Sequence, residues 1–556
     1  MMREKNMTNR ILTRLAFALA VPVLAAGCIE EAFPDNGTFT DDQLDEYSVE
    51  LLLNGLPADL MSSNTAGYYS SYGDQTDFGY PSICLRTDYM LADIVSLGTP
   101  NYNQFNYYIG CLSMGPDYQY CGYYWDTYYA WIKEANEIIS RIDHNTEDQQ
   151  EREWLAQAYT YRAMFYLDLA RLYIPKENNY VRVYANIRNL TVPIVTENTT
   201  EAMAQNNPRA TREDMYDFIL GDLDAAVTYF GNSASTGYTR PTLAAAYGLL
   251  ARAYLEVGAD LDDAGDDAGA DTAYENAIKY ADLAISTSGR TPLTQSQWED
   301  PVNGFNNGAA NNSWIWGLTL TAASTTNIMN HVSHMSSEAT WAYGCRVLPG
   351  ASRTFYREID DADFRKHSWL DPDWQAGYYD YKFCGSSEQQ ENFKSYARPY
   401  TNIKFRPASG EVDNFTMGSC ADFPLMRVEE MYFIKIEATA KRDGNGINAA
   451  GLLEDFLNNY RYVDKSYTCE ETGLSDFLEE MLFQKRIEFW GEGIVMYDHK
   501  RLNIGFTRSG SNFVADFTYD VQGRSPQWNI VIPRSELQAN SAVTDLNNPD
   551  PTGFWY

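Results

Sequence analysis

Lys485-Arg486-Ile487-Glu488-Phe489-Trp490-Gly491-Glu492-Gly493, continuing to Tyr497-Asp498 and Lys500-Arg501, is the most densely patterned stretch of this 556-residue chain. It closes a helix expected over 474–490. Glu488 and Glu492 lie four residues apart and share a helix face. Like charges at that spacing repel unless partnered, and Arg486, Lys500 and Arg501 stand nearby to neutralise them. Two carboxylates are also what a glycoside hydrolase needs, but the neighbouring cations favour a structural ion-pair network. Gly491-Glu492-Gly493 begins like a dinucleotide fingerprint. Met496 stands where the third glycine belongs, and a helix rather than a strand precedes it.

Helical patterning extends outward from this stretch. Helices are expected over 425–441 and 447–461, with Asp443-Gly444-Asn445-Gly446 as the turn between them. In 127–142, Trp131, Ala135, Ile138, Ile139 and Ile142 recur at helical spacing. Thr146 and Gln149 offer a capping box for a helix with Leu155, Phe165, Leu169 and Leu172 on one face, ended by Pro175. A second pair starts at Thr211, with Met215, Ile219, Leu223, Ala226 and Phe230 as its stripe. Its expected partner runs from Pro241 through Ala245, Leu249 and Ala253, and another helix spans 272–286. Small residues such as Ala244-Ala245-Ala246-Tyr247-Gly248 suit close helix crossing. The pairs look like tetratricopeptide-type hairpins with long insertions. Two irregular regions, 61–124 and 288–420, separate the helical blocks, and loops this long are uncommon unless functional.

The N-terminus reads as an address. A run from Leu15 to Ala26 follows Arg10 and Arg14, is too short to span a bilayer, and ends at Cys28. Elsewhere no stretch approaches 18 consecutive apolar residues. The net charge of −34 excludes a nucleic-acid partner, because phosphates demand a basic face. It also argues against tight electrostatic docking to anionic lipid. Eight cysteines include Cys28. No C-x-x-C occurs, and Cys111 and Cys121 either pair or remain buried thiols.

No Walker A, H-E-x-x-H or G-x-S-x-G motif is present. His331-x-x-His334 sets two imidazoles close together, but no third metal ligand is placed, so a surface or ligand-contacting role is the better reading. Residues 260–271 hold six Asp and no basic residue. Oxygen-rich loops bind Ca²⁺, yet the spacing matches no EF-hand and a solvated linker is the competing reading. Aromatic content is high, with 42 Tyr, 25 Phe and 12 Trp. Tyr68, Tyr69, Tyr72 and Tyr80 surround Asp74 and Asp77. Tyr118, Tyr120, Tyr123, Tyr124 and Trp125 form a second cluster. Trp341 and Tyr343 lie beside His334, Ser336 and Ser337 in a third. Rings stack on the apolar faces of sugars while carboxylates and amides take the hydroxyls. The expected ligand-binding set is therefore Tyr68, Tyr69, Tyr72, Asp74, His334, Trp341 and Tyr343.

The order of motifs resembles the SusD/RagB-like family of outer-membrane glycan-binding lipoproteins. Leu24-Ala25-Ala26-Gly27-Cys28 resembles a lipobox. Tyr124-Trp125-Asp126-Thr127-Tyr128-Tyr129, Tyr161-Arg162-Ala163-Met164-Phe165-Tyr166 and Asn312-Ser313-Trp314-Ile315-Trp316 are similar to family segments. So are Pro424-Leu425-Met426-Arg427-Val428-Glu429-Glu430, the 485–501 stretch and Ile532-Pro533-Arg534-Ser535-Glu536-Leu537. Gln484 and His499 depart from the pattern, replacing a usual Glu and Leu. The resemblance implies a mostly all-α fold, with about four tetratricopeptide-like pairs supporting long irregular loops and a few short strands. It implies a signal peptide at 1–27 cleaved before a lipidated Cys28, and an acidic tether at 28–38. A single domain over 39–556 would follow, its scaffold at 39–290 and 421–556 and its binding region mainly at 291–420. It implies no catalysis, a lipid-anchored site on the outer membrane facing outward, and a SusC-like TonB-dependent transporter as partner; separately, no cofactor is expected, Ca²⁺ at 260–271 being the open alternative. The expected function is capture of oligosaccharide or polysaccharide for import. Peptide or glycoprotein capture, a secreted helical glycosidase and a purely structural lid are the alternatives.

Overall fold

The segments flanking the 485–501 stretch meet it from far away in sequence, and this closure organises the molecule. The computed structural model describes residues 49–62, 75–233, 235, 237–322 and 328–554. The expected leader, Cys28, the tether, and Tyr68, Tyr69, Tyr72 and Asp74 lie outside the described residues. The chain divides into two units, 1–51 and 52–556, the first described only at 49–51.

The second unit is mainly helical. Its principal helices are α1 (Tyr80–Tyr89), α2 (Gln119–Arg141), α3 (Gln149–Tyr173), α4 (Arg212–Phe230) and α5 (Leu243–Ala264). They continue with α6 (Asp267–Ser288), α7 (Val428–Asp443), α8 (Ile447–Tyr460), α9 (Leu474–Glu488) and α10 (Val495–Leu502). Helix α2 starts well before 127, because Tyr123, Tyr124 and Trp125 continue the buried face of Tyr128, Trp131 and Ile132. The second aromatic cluster is thus largely core. Arg86 lies 3.8 Å over the Tyr123 ring, and the Tyr123 hydroxyl donates to Asp77 at 2.9 Å. Tyr80 is buried too and donates to Asp168 at 2.9 Å.

Helix α3 is capped by Asp148 rather than by a Thr146/Gln149 box. The Asp148 carboxylate accepts from the amides of Gln150 and Glu151, since it stands directly before the first turn. Thr211 caps α4 as expected, accepting from the Asp214 amide. Helix α4 lies against α3 as well as α5, while α5 forms its tight hairpin with α6 across Gly265-Asp266. The Asp-rich run 260–271 is therefore mostly helix and not a linker. Three of its carboxylates are ion-paired: Asp262 with Lys441 at 2.7 Å, Asp263 with Lys176 at 2.8 Å, and Asp260 with Lys176 and Arg212. Asp266 caps α6. Gly248 on α5 leaves room for the Met426 side chain of the strand Phe423–Arg427, whose sulfur would stand 2.2 Å from a Cβ there, so its closest neighbour is a strand and not a crossing helix.

Strands β1 (Ile94–Ser96), β2 (Trp314–Leu318), β3 (Pro349–Ala351) and β4 (Phe423–Arg427) form two antiparallel pairs, β1 with β3 and β2 with β4. The second pair joins two of the family-like motifs and delivers Arg427 to the start of α7. Cys111 and Cys121 are both buried thiols, not a disulfide.

At the centre, four acids and four bases form one buried network: Asp363, Glu429, Glu488 and Glu492 with Arg365, Lys404, Arg427 and Arg461. Glu488 accepts two bonds of 2.7 Å from Arg461, one of 3.0 Å from Arg427 and one of 3.1 Å from Arg365. Glu492 takes 2.9 and 3.0 Å bonds from Arg427 and one of 2.8 Å from Lys404. The carboxylates are partnered, as the sequence required, but by different cations. Arg486 binds Asp93, Lys500 binds main-chain carbonyls, and Arg501 binds Glu437, Glu256 and Asp498.

Candidate functional site

The sequence-expected residues that are described, His334, Trp341 and Tyr343, lie within one segment, 331–343, but they differ in what they can do. His334 stacks between Phe78 and Tyr343, with ring centroids 5.1 and 4.8 Å away, and its Nε2 lies 2.8 Å from the Gln75 carbonyl. It is 3 % exposed and joins the 75–80 and 331–343 segments as a packing residue, so it is not a ligand contact. The reason is local: the short helix His331–Met335 points both histidines inward. His331 faces the Gly491 carbonyl at 3.2 Å, and burial pushes its pKa down to about 3, so the ring is neutral. Ser336 and Ser337 are buried. Trp341 and Tyr343 remain half-buried at the surface, Trp341 edge-on to Phe415 at 5.5 Å.

Glu488 and Glu492 are sealed from solvent. Burial works against the Glu488 charge, yet Arg461, Arg427 and Arg365 hold its carboxyl well below the usual carboxylate range. A general acid must keep a proton near neutral pH. Glu488 neither holds one nor reaches substrate, so the glycosidase reading loses its carboxylate pair. Among the described residues, no three metal-ligating side chains converge.

An open recess of about 570 Å³ lies in the same irregular region, between 374–383 and the helix Ser387–Tyr396. Trp374, Tyr379, Tyr381 and Phe383 line it, with Glu391 and Lys394 on the opposite wall. Its volume falls in the range of ligand pockets. A small core of Leu370, Trp374, Phe393 and Ile403 supports it from beneath. The rings are fixed at their hydroxyls. Tyr378 and Tyr379 donate to Asp361 at 2.8 and 3.3 Å, and Tyr381 donates to the Trp369 carbonyl at 3.1 Å. Lys366 also donates to Asp361 at 2.6 Å, and this bond with that of Tyr378 holds the Asp361 carboxyl below its ordinary value. Tyr378, 49 % exposed, extends the aromatic surface beyond the recess, 4.6 Å from Tyr379. Rigid amphipathic rings beside carboxylates present stacking faces and hydrogen-bond acceptors together.

The Trp341 loop is tied to this wall. The Tyr396 hydroxyl donates to the Ser337 carbonyl at 3.2 Å. Asp413 accepts from Thr340 at 2.7 Å and from Gln389 of the same helix. Trp341 and the recess therefore belong to one supported face.

Tyr378-Tyr379-Asp380-Tyr381-Lys382-Phe383 was not among the expected site residues. Its signal is four rings in six residues with no helical period, between Gly377 and Gly385 at φ 81°. The same density at 118–125 runs into a helix and is core, so density alone does not discriminate.

A family profile described as "SusD-like_3: Starch-binding associating with outer membrane" matches residues 89–255. The curated "SusD-like protein P2" of Formosa agariphila is 25 % identical over 509 residues, covering 87 % of this chain and 90 % of that protein. A "SusD-like carbohydrate binding protein" from Bacteroides vulgatus superposes with a TM-score of 0.67 at 21 % identity, covering 89 % of this chain and 96 % of that one. A "Laminarin binding SusD-like protein" gives 0.59 at 18 % identity, covering 91 % and 99 %.

Proposed function

We propose that the chain is a member of the SusD/RagB-like family, a lipid-anchored protein of the outer membrane that captures glycan and passes it to a TonB-dependent transporter, acting as its lid. The aromatic recess carries this reading. It combines ligand-sized volume with tryptophan and tyrosine walls. A larger recess of about 1110 Å³ is lined by Glu358, Glu471, Asp476, Glu479 and Glu480 and by no tryptophan or tyrosine. The role is binding without catalysis, in keeping with the sealed Glu488 and Glu492.

Tyr379→Ala should weaken glycan binding about ten- to hundredfold, the ~1.5–3 kcal/mol that burying an aromatic side chain contributes. Affinity electrophoresis through polysaccharide gels, followed by calorimetry on the retarding glycan, reads this directly. Unchanged affinity in a variant with wild-type circular dichroism would place binding elsewhere.

Cys28 supplies the anchor in this proposal. Cys28→Ala should move the protein from the membrane fraction to the soluble fraction with its glycan affinity intact. Retention of the variant on the membrane would remove the lipid from the mechanism.

A further inference from the structure

If the recess is the glycan site, the charges around it select among glycans beyond what its rings can do. Two lysines stand beside it. Lys394 Nζ is 2.8 Å from Glu391 and 5.3 Å from the Phe383 ring centre. Lys382 Nζ is 3.6 Å from Glu299, whose other oxygen lies 2.7 Å from His367 Nδ1. Deeper in, Lys366 sits on Asp361 at 2.6 Å and Arg406 on Glu338 at 3.0 Å. Each of these cations already has a carboxylate partner. Asp380 adds an exposed negative charge at the rim.

We infer that this site takes uncharged glycans and excludes chains bearing carboxylates or sulfates. The charge of each lysine is already balanced by Glu391 or Glu299, so an anionic sugar there would add a further negative charge beside that acid and Asp380 with no unbalanced cation to answer it. A neutral sugar adds no charge: its hydroxyls donate to the carboxylates where they stand and its apolar face covers the rings. The net charge of −34 adds a repulsive field for any polyanion. That field decays over about 8–10 Å at 0.1–0.15 M salt, so its share of the selection weakens as salt rises.

The test uses the intact protein and soluble neutral glucans and xylans, each matched with its carboxymethylated and its sulfated derivative. Affinity electrophoresis and calorimetry are run at low and at physiological salt. The expected result is binding of at least one neutral chain and at least tenfold weaker binding of its anionic derivatives, with the gap narrowing as salt rises. Asp380→Asn with Glu391→Gln should raise affinity for the derivatives several-fold. Equal or tighter binding of the derivatives by the unmodified protein, or no gain in the double variant, overturns the charge selection and leaves the glycan site standing. No binding to any chain, neutral or anionic, overturns the site itself and the selection with it.

Discussion

Glu488→Gln should destabilise the fold by about 3–5 kcal/mol, the cost of leaving a buried charge without its partner. The network is neutral as built, with four acids facing four bases at 0–3 % side-chain exposure. Glutamine keeps the shape but removes one negative charge. Arg461, Arg427 and Arg365 then meet at a carboxamide whose NH₂ group cannot accept their bonds. The sign of the pH dependence follows from the same contacts. The Glu488 carboxyl is held below its ordinary value of 4.5 in the folded protein. Its contribution is fully present above the unfolded value and is lost as pH falls below about 4.5 towards the folded one. Urea unfolding at pH 7 and pH 4 should therefore show a shallower acid loss in the glutamine variant than in the wild type. A destabilisation under ~1 kcal/mol at pH 7 would mean that the network is solvated and not a closed unit.

A comparable effect is expected from Gly493→Ala. Gly493 adopts φ 79°, in the left-handed region, and an added Cβ would lie 2.2 Å from the Cys84 Cβ and 2.3 Å from its Cα. Backbone atoms of α1 cannot yield as a flexible side chain can. The Gly493 amide donates to Asp88 at 2.9 Å and its carbonyl accepts from Thr87 at 3.3 Å, so the loop cannot simply swing away. The conformational penalty of ~1–2 kcal/mol and an overpacking cost of ~1–3 kcal/mol together predict a large drop in melting temperature. Gly451 on α8 is the contrast: nothing lies within 4 Å of its added Cβ. Gly451→Ala should raise stability by about 0.5–1 kcal/mol, because alanine loses less backbone entropy in a helix. Equal shifts in the two variants would show that steric contact at Gly493 is not the cause.

Helix positions were legible because the periodicity of apolar residues is local. The 425–441, 447–461 and 474–490 expectations match α7, α8 and α9 within a few residues, and Gly444 makes the expected turn at φ 65°. Misreadings occurred where one local signal served two outcomes. The six aspartates of 260–271 resemble a solvated loop, yet Asp260, Asp262 and Asp263 pair with Lys176, Lys441 and Arg524 from distant segments. The Tyr-rich turn of α2 resembles a binding cluster but faces the core. His334 carries the same chemistry in either setting, and only its neighbours Phe78, Tyr343 and Gln75 make it a packing residue.

Residue order alone was enough to establish helices, their caps and turns, the need of Glu488 and Glu492 for cations, and a family resemblance carried by motif order. These depend on spacings of a few residues or on short strings, which survive without three-dimensional context. Which cations answer those carboxylates was settled by chain closure. Arg461, Arg427 and Arg365 lie 27, 61 and 123 residues from Glu488, and no short-range pattern selects them. The recess is of the same kind. Trp374, Tyr379 and Lys394 become one surface only because the 374–383 segment folds against the helix Ser387–Tyr396 over a shared core, which offsets the entropy lost in ordering an otherwise irregular loop.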